Sequence, residues 1–325
     1  MSLFKKPEVS RSGVKVLFYG LEGSGKTVSA ISFPSVLLVD TEAGSTWYMG
    51  TELGKNVLGV FNTQSYRDIQ EAMEEVSDTY KESGVETFVV DSMTKVRQGL
   101  VRVVSKIDEQ RERSKGKSAL AANTSMRSWG KIGQISSDIQ NDTIDLSTST
   151  GVNVVHTAQA KAIYEGEGDN AKLVGYRPDI HKSAPFDYDI IVYFYKDDTV
   201  PGKPKFYGKI EKDRLNVFLP GDVVENVGYH LWADKIAERS GKKLSSTSYQ
   251  EQIAKDEADY EESEKNLETP LVDRFKIMIN ENPDSAKEIV AALNEKGVEN
   301  LGKMNASQAK IAEKIYGDYY KKLKK

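Results

Sequence analysis

The residues Gly20-Leu-Glu-Gly-Ser-Gly-Lys26-Thr27 match the pattern G-x-x-x-x-G-K-[ST], directly after the apolar run VKVLFY and before a helical pattern. Glycines at this spacing let the backbone curl so that successive N–H groups point inward at phosphates, and the following helix adds its positive end. Gly20, Gly23, Ser24 and Gly25 supply the cradle, Lys26 reaches the β- and γ-phosphates, and the Thr27 hydroxyl takes a place on Mg²⁺. The chemistry implied is the binding of ATP with Mg²⁺. A second element, Thr87-Phe-Val-Val-Asp91-Ser92, is an apolar strand ending in a carboxylate. It is expected beside the phosphate-loop strand, holding Asp91 near the metal and its waters.

Composition narrows the other chemistries. The 325 residues contain no cysteine and three histidines, His156, His181 and His230, which removes thiol nucleophiles and thiolate metal sites and argues against a histidine-based one. Apolar residues make up 38 % and charged residues 29 %, a globular balance, and no run approaches a membrane span. The first residues lack the apolar core of a signal peptide, so a cytoplasmic location is expected, with no membrane partner. A net charge of −4 gives no overall case for nucleic acid, which must rest on local patches.

From Val14 onward, β-branched runs alternate with helical stretches, the signature of an α/β fold with a mostly parallel sheet flanked by helices. Strands are predicted at Val14–Tyr19, Val36–Asp40, Val57–Phe61, Thr87–Asp91 and Val152–Thr157, with helices at Lys26–Ser32, Ser65–Lys81, Thr94–Glu112 and Met126–Leu146. Tyr188–Tyr195 and Lys205–Ile210 read as an antiparallel pair, and Val227–Arg239 as a closing helix. Residues 1–12 read as an N-terminal tail, 13–240 as the core and 241–270, Ser-rich and then acidic, as a linker. Residues 271–325 read as a small helical module with a helix from Pro270, a second around Ile289–Leu293, two more around Asn305–Tyr320 and a basic end.

Ras-type GTPase signatures are absent, as is the arginine-rich lid usual in small-molecule kinases. The order phosphate loop, Leu38-Val39-Asp40-Thr41-Glu42, then Val89-Val90-Asp91-Ser92 resembles the RecA-type ATPase core over roughly residues 13–240. In overall plan the chain is similar to short phage-encoded RecA-core ATPases of single-strand annealing and recombination modules. That resemblance implies that Glu42 polarises the attacking water. It implies a γ-phosphate sensor in Val154-Val155-His156-Thr157-Ala158-Gln159, where the family often has Asn-Gln, so that His156, Thr157 and Gln159 all stand as candidates. Glu211-Lys212-Asp213-Arg214 is similar to the Lys-x-Arg element that reaches a neighbouring subunit's nucleotide, making Lys212 and Arg214 candidates for catalysis in trans within a homo-oligomeric ring or filament. The phrase Gly297–Met304 and the helix after it resemble a tail of phage recombination proteins, which implies docking of a single-strand-binding or other recombination protein.

RecA-like cores bind single-stranded DNA through two loops on the nucleotide side. The first candidate is the basic stretch carrying Arg111, Arg113, Lys115, Lys117 and Arg127, read as unpatterned loop. The second runs from Gln159 to Ala184, where Lys161 and Arg177 alternate with Tyr164 and Tyr176 around a glycine-rich turn. Cations that track phosphates, interleaved with rings on which bases stack, suit sequence-tolerant binding. The expectation is a Mg²⁺-dependent ATPase acting on single-stranded DNA in recombination, annealing or replication. The alternatives are a P-loop kinase or nucleotide hydrolase with a small-molecule acceptor, and a non-hydrolysing nucleotide switch.

Overall fold

The structure, a computed structural model, describes residues 12–116, 125–166, 170–238, 253–258 and 270–323. The chain divides into two compact units, Met1–Gln250 and Glu251–Lys325. In the first, the strands are β1 (Lys15–Gly20), β2 (Val36–Asp40), β3 (Val57–Asn62), β4 (Thr87–Asp91), β5 (Asn153–Glu165), β6 (Lys172–Pro178), β7 (Ile190–Asp197), β8 (Lys205–Asp213) and β9 (Val223–Glu225). The helices are α1 (Lys26–Ile31), α2 (Tyr66–Ser83), α3 (Met93–Ser114), α4 (Met126–Thr150) and α5 (Ala233–Ala237). The strand order is β3-β2-β4-β5-β1-β7-β8-β9, with β6 pairing only with β5. Pairing is parallel from β3 to β7 and antiparallel at β8, β9 and β6. This is the expected α/β class, a mostly parallel sheet between helical layers.

Burial on both faces explains the near-continuous apolar runs of the inner strands. Leu17 and Tyr19 of β1 pack with α2, α3 and α4, whereas Val16 and Phe18 point to the other face, where Ile31 of α1 and Trp232 close the core. The helix ends are set by local chemistry. The Ser65 side chain accepts from the Asp68 N–H at the start of α2, which stops at Gly84 with φ 68°. Ser125 and Gly151 do the same for α4.

Several expectations need correction. The Asp91 strand does not lie beside the phosphate-loop strand: β5 sits between β4 and β1, because its apolar run is buried on both faces as a central strand requires. β5 itself runs on to Glu165, well past the expected Thr157. The stretch carrying Arg111, Arg113 and Arg127 is not a loop; helix continues through the two former residues in α3 and includes the last in the first turn of α4. The i,i+3 and i,i+4 pairs Arg111–Asp108 and Arg113–Glu109 support that continuation. Lys117 lies outside the described residues, as does most of the span 241–270, of which 253–258 are helical. The closing helix is broken into a 3₁₀ turn at Tyr229–Leu231 and the short α5.

In the second unit, α6 (Leu271–Glu281), α7 (Ala286–Glu295) and α8 (Ala306–Leu323) enclose Phe275, Met278, Ile289, Leu293 and Tyr316. One helix, α8, stands where two were expected. Arg274 binds Glu313 through two nitrogens, at 2.8 and 3.0 Å, and lies over the Tyr316 ring.

Candidate active site

The phosphate loop leaves the end of β1 at Gly20, where a Cβ would stand 2.1 Å from the Phe194 carbonyl oxygen of β7, so only glycine fits. Gly25 has φ 97°, a left-handed conformation that ends the loop and starts α1. Ser24 donates to the Leu21 carbonyl at 2.7 Å, fixing the curl. The Lys26 ammonium donates to the carbonyls of Leu21 and Gly20, at 2.6 and 3.2 Å. Burial pushes the Lys26 pKa down, while Asp91, Glu42 and Glu22 pull it back up.

Asp91 ends β4 across from this loop. Its carboxylate accepts from Thr27 at 2.6 Å and, on the other oxygen, from Thr157 of β5. Burial raises the Asp91 pKa; the two hydroxyls oppose that shift, and the nearby Glu42 and Asp40 carboxylates add to it. Glu42 accepts from Ser92 at 2.9 Å and from the Gln159 side-chain amide at 3.1 Å. Asp40 positions the Glu42 turn by accepting from the Glu42 N–H at 2.9 Å, the Ser45 N–H at 2.8 Å and the Ser45 hydroxyl at 2.5 Å. A cleft of about 370 Å³ is lined by the loop together with Lys26, Thr27, Glu42, Asp91, Ser92 and Gln159.

This geometry separates the three sensor candidates. Gln159 lines the cleft and touches Glu42, and Thr157 holds Asp91. His156 is fully buried on the other face of β5, with Nδ1 2.8 Å from the Tyr188 hydroxyl, and burial takes its pKa to about 3. It is a neutral core residue and does not reach the cleft.

Lys212 and Arg214 stand apart from this cleft. The phosphate loop is level with Gly208 of β8, and β8 runs from there toward the opposite end of the sheet, so Lys212 is roughly 13 Å away along the strand. Lys212 donates to the Pro185 and Phe186 carbonyls, at 3.1 and 3.0 Å, and Arg214 pairs with Asp189 at 3.2 Å. Neither residue serves the cleft of its own chain.

The two basic regions also differ. Arg111, Arg113 and Lys115 are ion-paired with neighbouring acids of α3 or its end, whereas Lys161 and Arg177 have no salt bridge among the described residues. They face each other across β5 and β6. Strand alternation puts Lys161 on the same side as Thr157 and Gln159. Tyr176 points to the opposite side, stacked on Tyr193 at 5.5 Å, and Tyr164 is exposed.

Sequence reasoning missed Ser92 and Asp40 as the polar frame of Glu42, and Thr41, whose hydroxyl accepts from the Ser92 N–H at 2.8 Å. Ser92 was legible, since it follows the strand-ending Asp91. It also missed a second cavity of about 400 Å³ that shares Ser24 and Gly25 with the loop and is walled by Val28, Leu53, Phe206 and His230. No local signal joins residues so far apart in the chain.

Mg²⁺ suits the donors present. The Thr27 hydroxyl and Asp91 carboxylate are adjacent hard oxygens, and a cation that keeps waters and phosphate oxygens as further ligands needs few from the protein. Among the described residues no cluster of three or more His, Cys, Asp or Glu could hold a metal alone.

The match to known families falls on this same region. A family model described as an AAA domain (AAA_24) covers residues 12–209. No curated protein matches the chain. Among solved structures, the chain is similar to the RadB recombinase at 17 % identity and a TM-score of 0.41, covering 66 % of this chain and 87 % of that one. A KaiC-like protein from the hyperthermophilic archaeon Pyrococcus horikoshii OT3 is similar at 15 % identity and a TM-score of 0.40, covering 66 % of this chain and 85 % of that one. With more than half of its length matched by the family model, and with the phosphate loop inside the match, the chain belongs to the AAA_24 family of AAA domains.

Proposed function

We propose that this protein is a Mg²⁺-dependent ATPase that self-assembles and acts on single-stranded DNA, in phage recombination, annealing or replication. The observation that carries the reading is the convergence of Lys26, Thr27, Asp91, Glu42 and Gln159 on one cleft. The loop N–H groups and Lys26 bind the phosphates, exchanging the carbonyls that Lys26 now contacts for phosphate oxygens. Thr27 and Asp91 hold Mg²⁺, which when bound neutralises charge on the phosphates. Glu42, held by Ser92, orients a water in line with the γ-phosphorus and takes its proton. Gln159 leaves Glu42 to bind the γ-phosphate. The base occupies the apolar cavity beside Ser24 and Gly25.

Arg214, distant from its own cleft, serves the next subunit's ATP, with Lys212 beside it. Lys161 and Arg177 track DNA phosphates from the hairpin that begins one residue past Gln159, which joins strand binding to the sensor. Residues 271–325 dock a recombination partner. The test is ATP turnover with and without single-stranded DNA, using the unmodified chain and a mixture of Arg214→Ala with Lys26→Ala subunits. Stimulation by DNA, and activity in the mixture above the sum of the separate variants, are expected. DNA-independent turnover and no complementation at any ratio would refute the DNA and trans assignments.

A polar cleft of about 480 Å³, lined by Glu42, Thr63, Gln64 and Lys95, supports a second reading. There Glu42 would serve as base for the hydroxyl of a small acceptor. Phosphate appearing on an added metabolite instead of in water distinguishes it.

A further inference from the structure

Tyr19 is the last residue before the phosphate loop, and its side chain, 1 % exposed, ends where three elements meet. The hydroxyl donates to the Glu211 carboxylate of β8 at 2.6 Å and lies 3.3 Å from the Tyr176 carbonyl of β6. Burial, and after it the Glu211 carboxylate, push the Tyr19 pKa up, so the group keeps its proton. A phenol has one proton to donate. Two acceptors therefore compete for it, and in this structure Glu211 holds the shorter bond.

The contact with Glu211 depends on an irregularity in β8. Lys212 pairs with Ile191 of β7 and Ile210 with Val192, so Glu211 is the extra residue of a β-bulge. A bulge re-aims its side chain. Here the carboxylate crosses β7, which lies between β8 and β1, to reach Tyr19. The residue after Glu211 is Lys212, and Arg214 follows two later. The residue after Tyr176 is Arg177, in a strand that pairs only with β5. Tyr176 also stacks on Tyr193, whose ring lies 5.2 Å from that of Tyr19, so the hairpin and the hydroxyl are packed as neighbours.

We infer that Tyr19 is a positioning residue: its one hydroxyl proton, directed to Glu211 or to the Tyr176 carbonyl, links the strand-binding hairpin to the pair Lys212 and Arg214. A strand held by Lys161 and Arg177 draws β6 onto the hydroxyl, which turns away from Glu211. β8 loses that tie, and Lys212 and Arg214 exchange their present carbonyl and Asp189 partners for the next subunit's phosphates. The hydroxyl thus has two discrete arrangements, each favoured by a different bound state, as coupling between separate sites requires. The inference deepens the strand-stimulated turnover proposed above and rests on that reading.

Steady-state ATP turnover by the full chain, with and without single-stranded DNA, tests it in Tyr19→Phe and Glu211→Ala. Phenylalanine keeps the buried ring, and Glu211 is exposed, so both variants should keep the cooperative melt of the unmodified chain. Each removes the tie, so turnover without DNA should rise toward the stimulated rate and DNA should add nothing further. A purely structural defect would lower turnover instead. The double variant should match the single ones, because both remove the same contact, and Glu211→Gln, which keeps an acceptor oxygen, should retain stimulation. Fluorescence anisotropy should show the salt dependence of strand binding unchanged in all of them, since Lys161 and Arg177 remain. Stimulation that survives Tyr19→Phe, or turnover without DNA that falls in both single variants, overturns the coupling and leaves the ATPase reading standing. An unmodified chain whose turnover ignores DNA refutes the strand assignment itself, and the coupling with it.

Discussion

From Asn153 to Gln159, β5 runs between β4 and β1 and is buried almost throughout, whereas from Ala160 to Glu165 it leaves the central sheet, pairs only with β6 and becomes largely exposed. The first half carries Thr157 and Gln159, whose bonds to Asp91 and Glu42 are fixed by neighbours on both sides. The second half carries Lys161 and Tyr164, with no helix needed to place them. A continuous backbone therefore joins a buried segment that reaches the cleft to an open cationic one. Losses in the first should remove chemistry, and losses in the second should remove only affinity for a partner.

The largest effect is expected at the phosphate loop. Lys26→Ala deletes the ammonium buried beside the loop, and among the described residues no other cation lines the cleft to replace it. ATP binding or turnover should fall to the detection limit. Turnover near that of the unmodified chain in a folded Lys26→Ala protein would end the nucleotide reading. Glu42→Gln comes next. The amide retains the shape and the Ser92 contact but cannot accept a proton, so hydrolysis should fall by about 10²–10⁴-fold while ATP still binds. Rapid-quench turnover alongside equilibrium binding checks it; unchanged turnover would place the water-orienting group elsewhere.

These parts of the cleft were also the ones most legible in the sequence. The loop from Gly20 to Thr27 is local, with turn, charge and hydroxyl all written within eight residues. Asp91 was readable because it ends an apolar strand, whereas Glu42 was singled out only through the resemblance to the RecA-type core. Strand order was not readable, since whether β4 or β5 neighbours β1 depends on pairing between segments more than 50 residues apart. The sensor was narrowed to three residues and no further: His156, Thr157 and Gln159 differ in which face of β5 they occupy, and the faces acquire meaning only when Tyr188 covers one and Glu42 the other. The basic run at Arg111 misled because its charges resemble a loop in composition, while the acids at Asp108 and Glu109 that pair with it one turn earlier mark a helix.

That contrast between paired and unpaired cations gives a smaller, selective effect. The double variant Lys161→Ala/Arg177→Ala should weaken binding to single-stranded DNA about tenfold and make its dependence on salt shallower by about 1.4 in log–log slope, two cations at about 0.7 each. Arg111→Ala/Arg113→Ala, whose charges are already neutralised by acids, should change the slope by less. Fluorescence anisotropy across a salt series measures both. Equal slopes for the two double variants would show that pairing within α3 does not decide which region binds.

A last expected effect, on stability and not on turnover or binding, tests how thoroughly the first half of β5 is sealed. His156 is fully buried, its Nε2 has no hydrogen-bond partner among the described residues, and its pKa is lowered by burial from 6.5 to about 3. The groups hydrogen-bonded around it, Tyr188 and through it Gln140, carry no negative charge that would stabilise an imidazolium; burial also raises the Tyr188 pKa, keeping it neutral. Below pH 6.5 the unfolded chain takes up a proton at this histidine and the folded chain does not, until about pH 3. Unfolding is therefore favoured as pH falls through that window, and His156 costs no stability above it. One proton limits the slope to about 1.4 kcal/mol per pH unit, or about 2 kcal/mol between pH 6.5 and 5. His156→Leu removes the titration and leaves the Tyr188 hydroxyl with the Gln140 amide at 3.4 Å. Urea unfolding at pH 7 and pH 5 should show a smaller loss of stability on acidification for this variant than for the unmodified chain, even if the variant is less stable at pH 7. The Lys161→Ala/Arg177→Ala protein should lose stability on acidification as the unmodified chain does, because its changes lie on the open half. If His156→Leu loses as much as the unmodified chain, the imidazole is protonated in the folded state, and the first half of β5 admits water that this packing excludes.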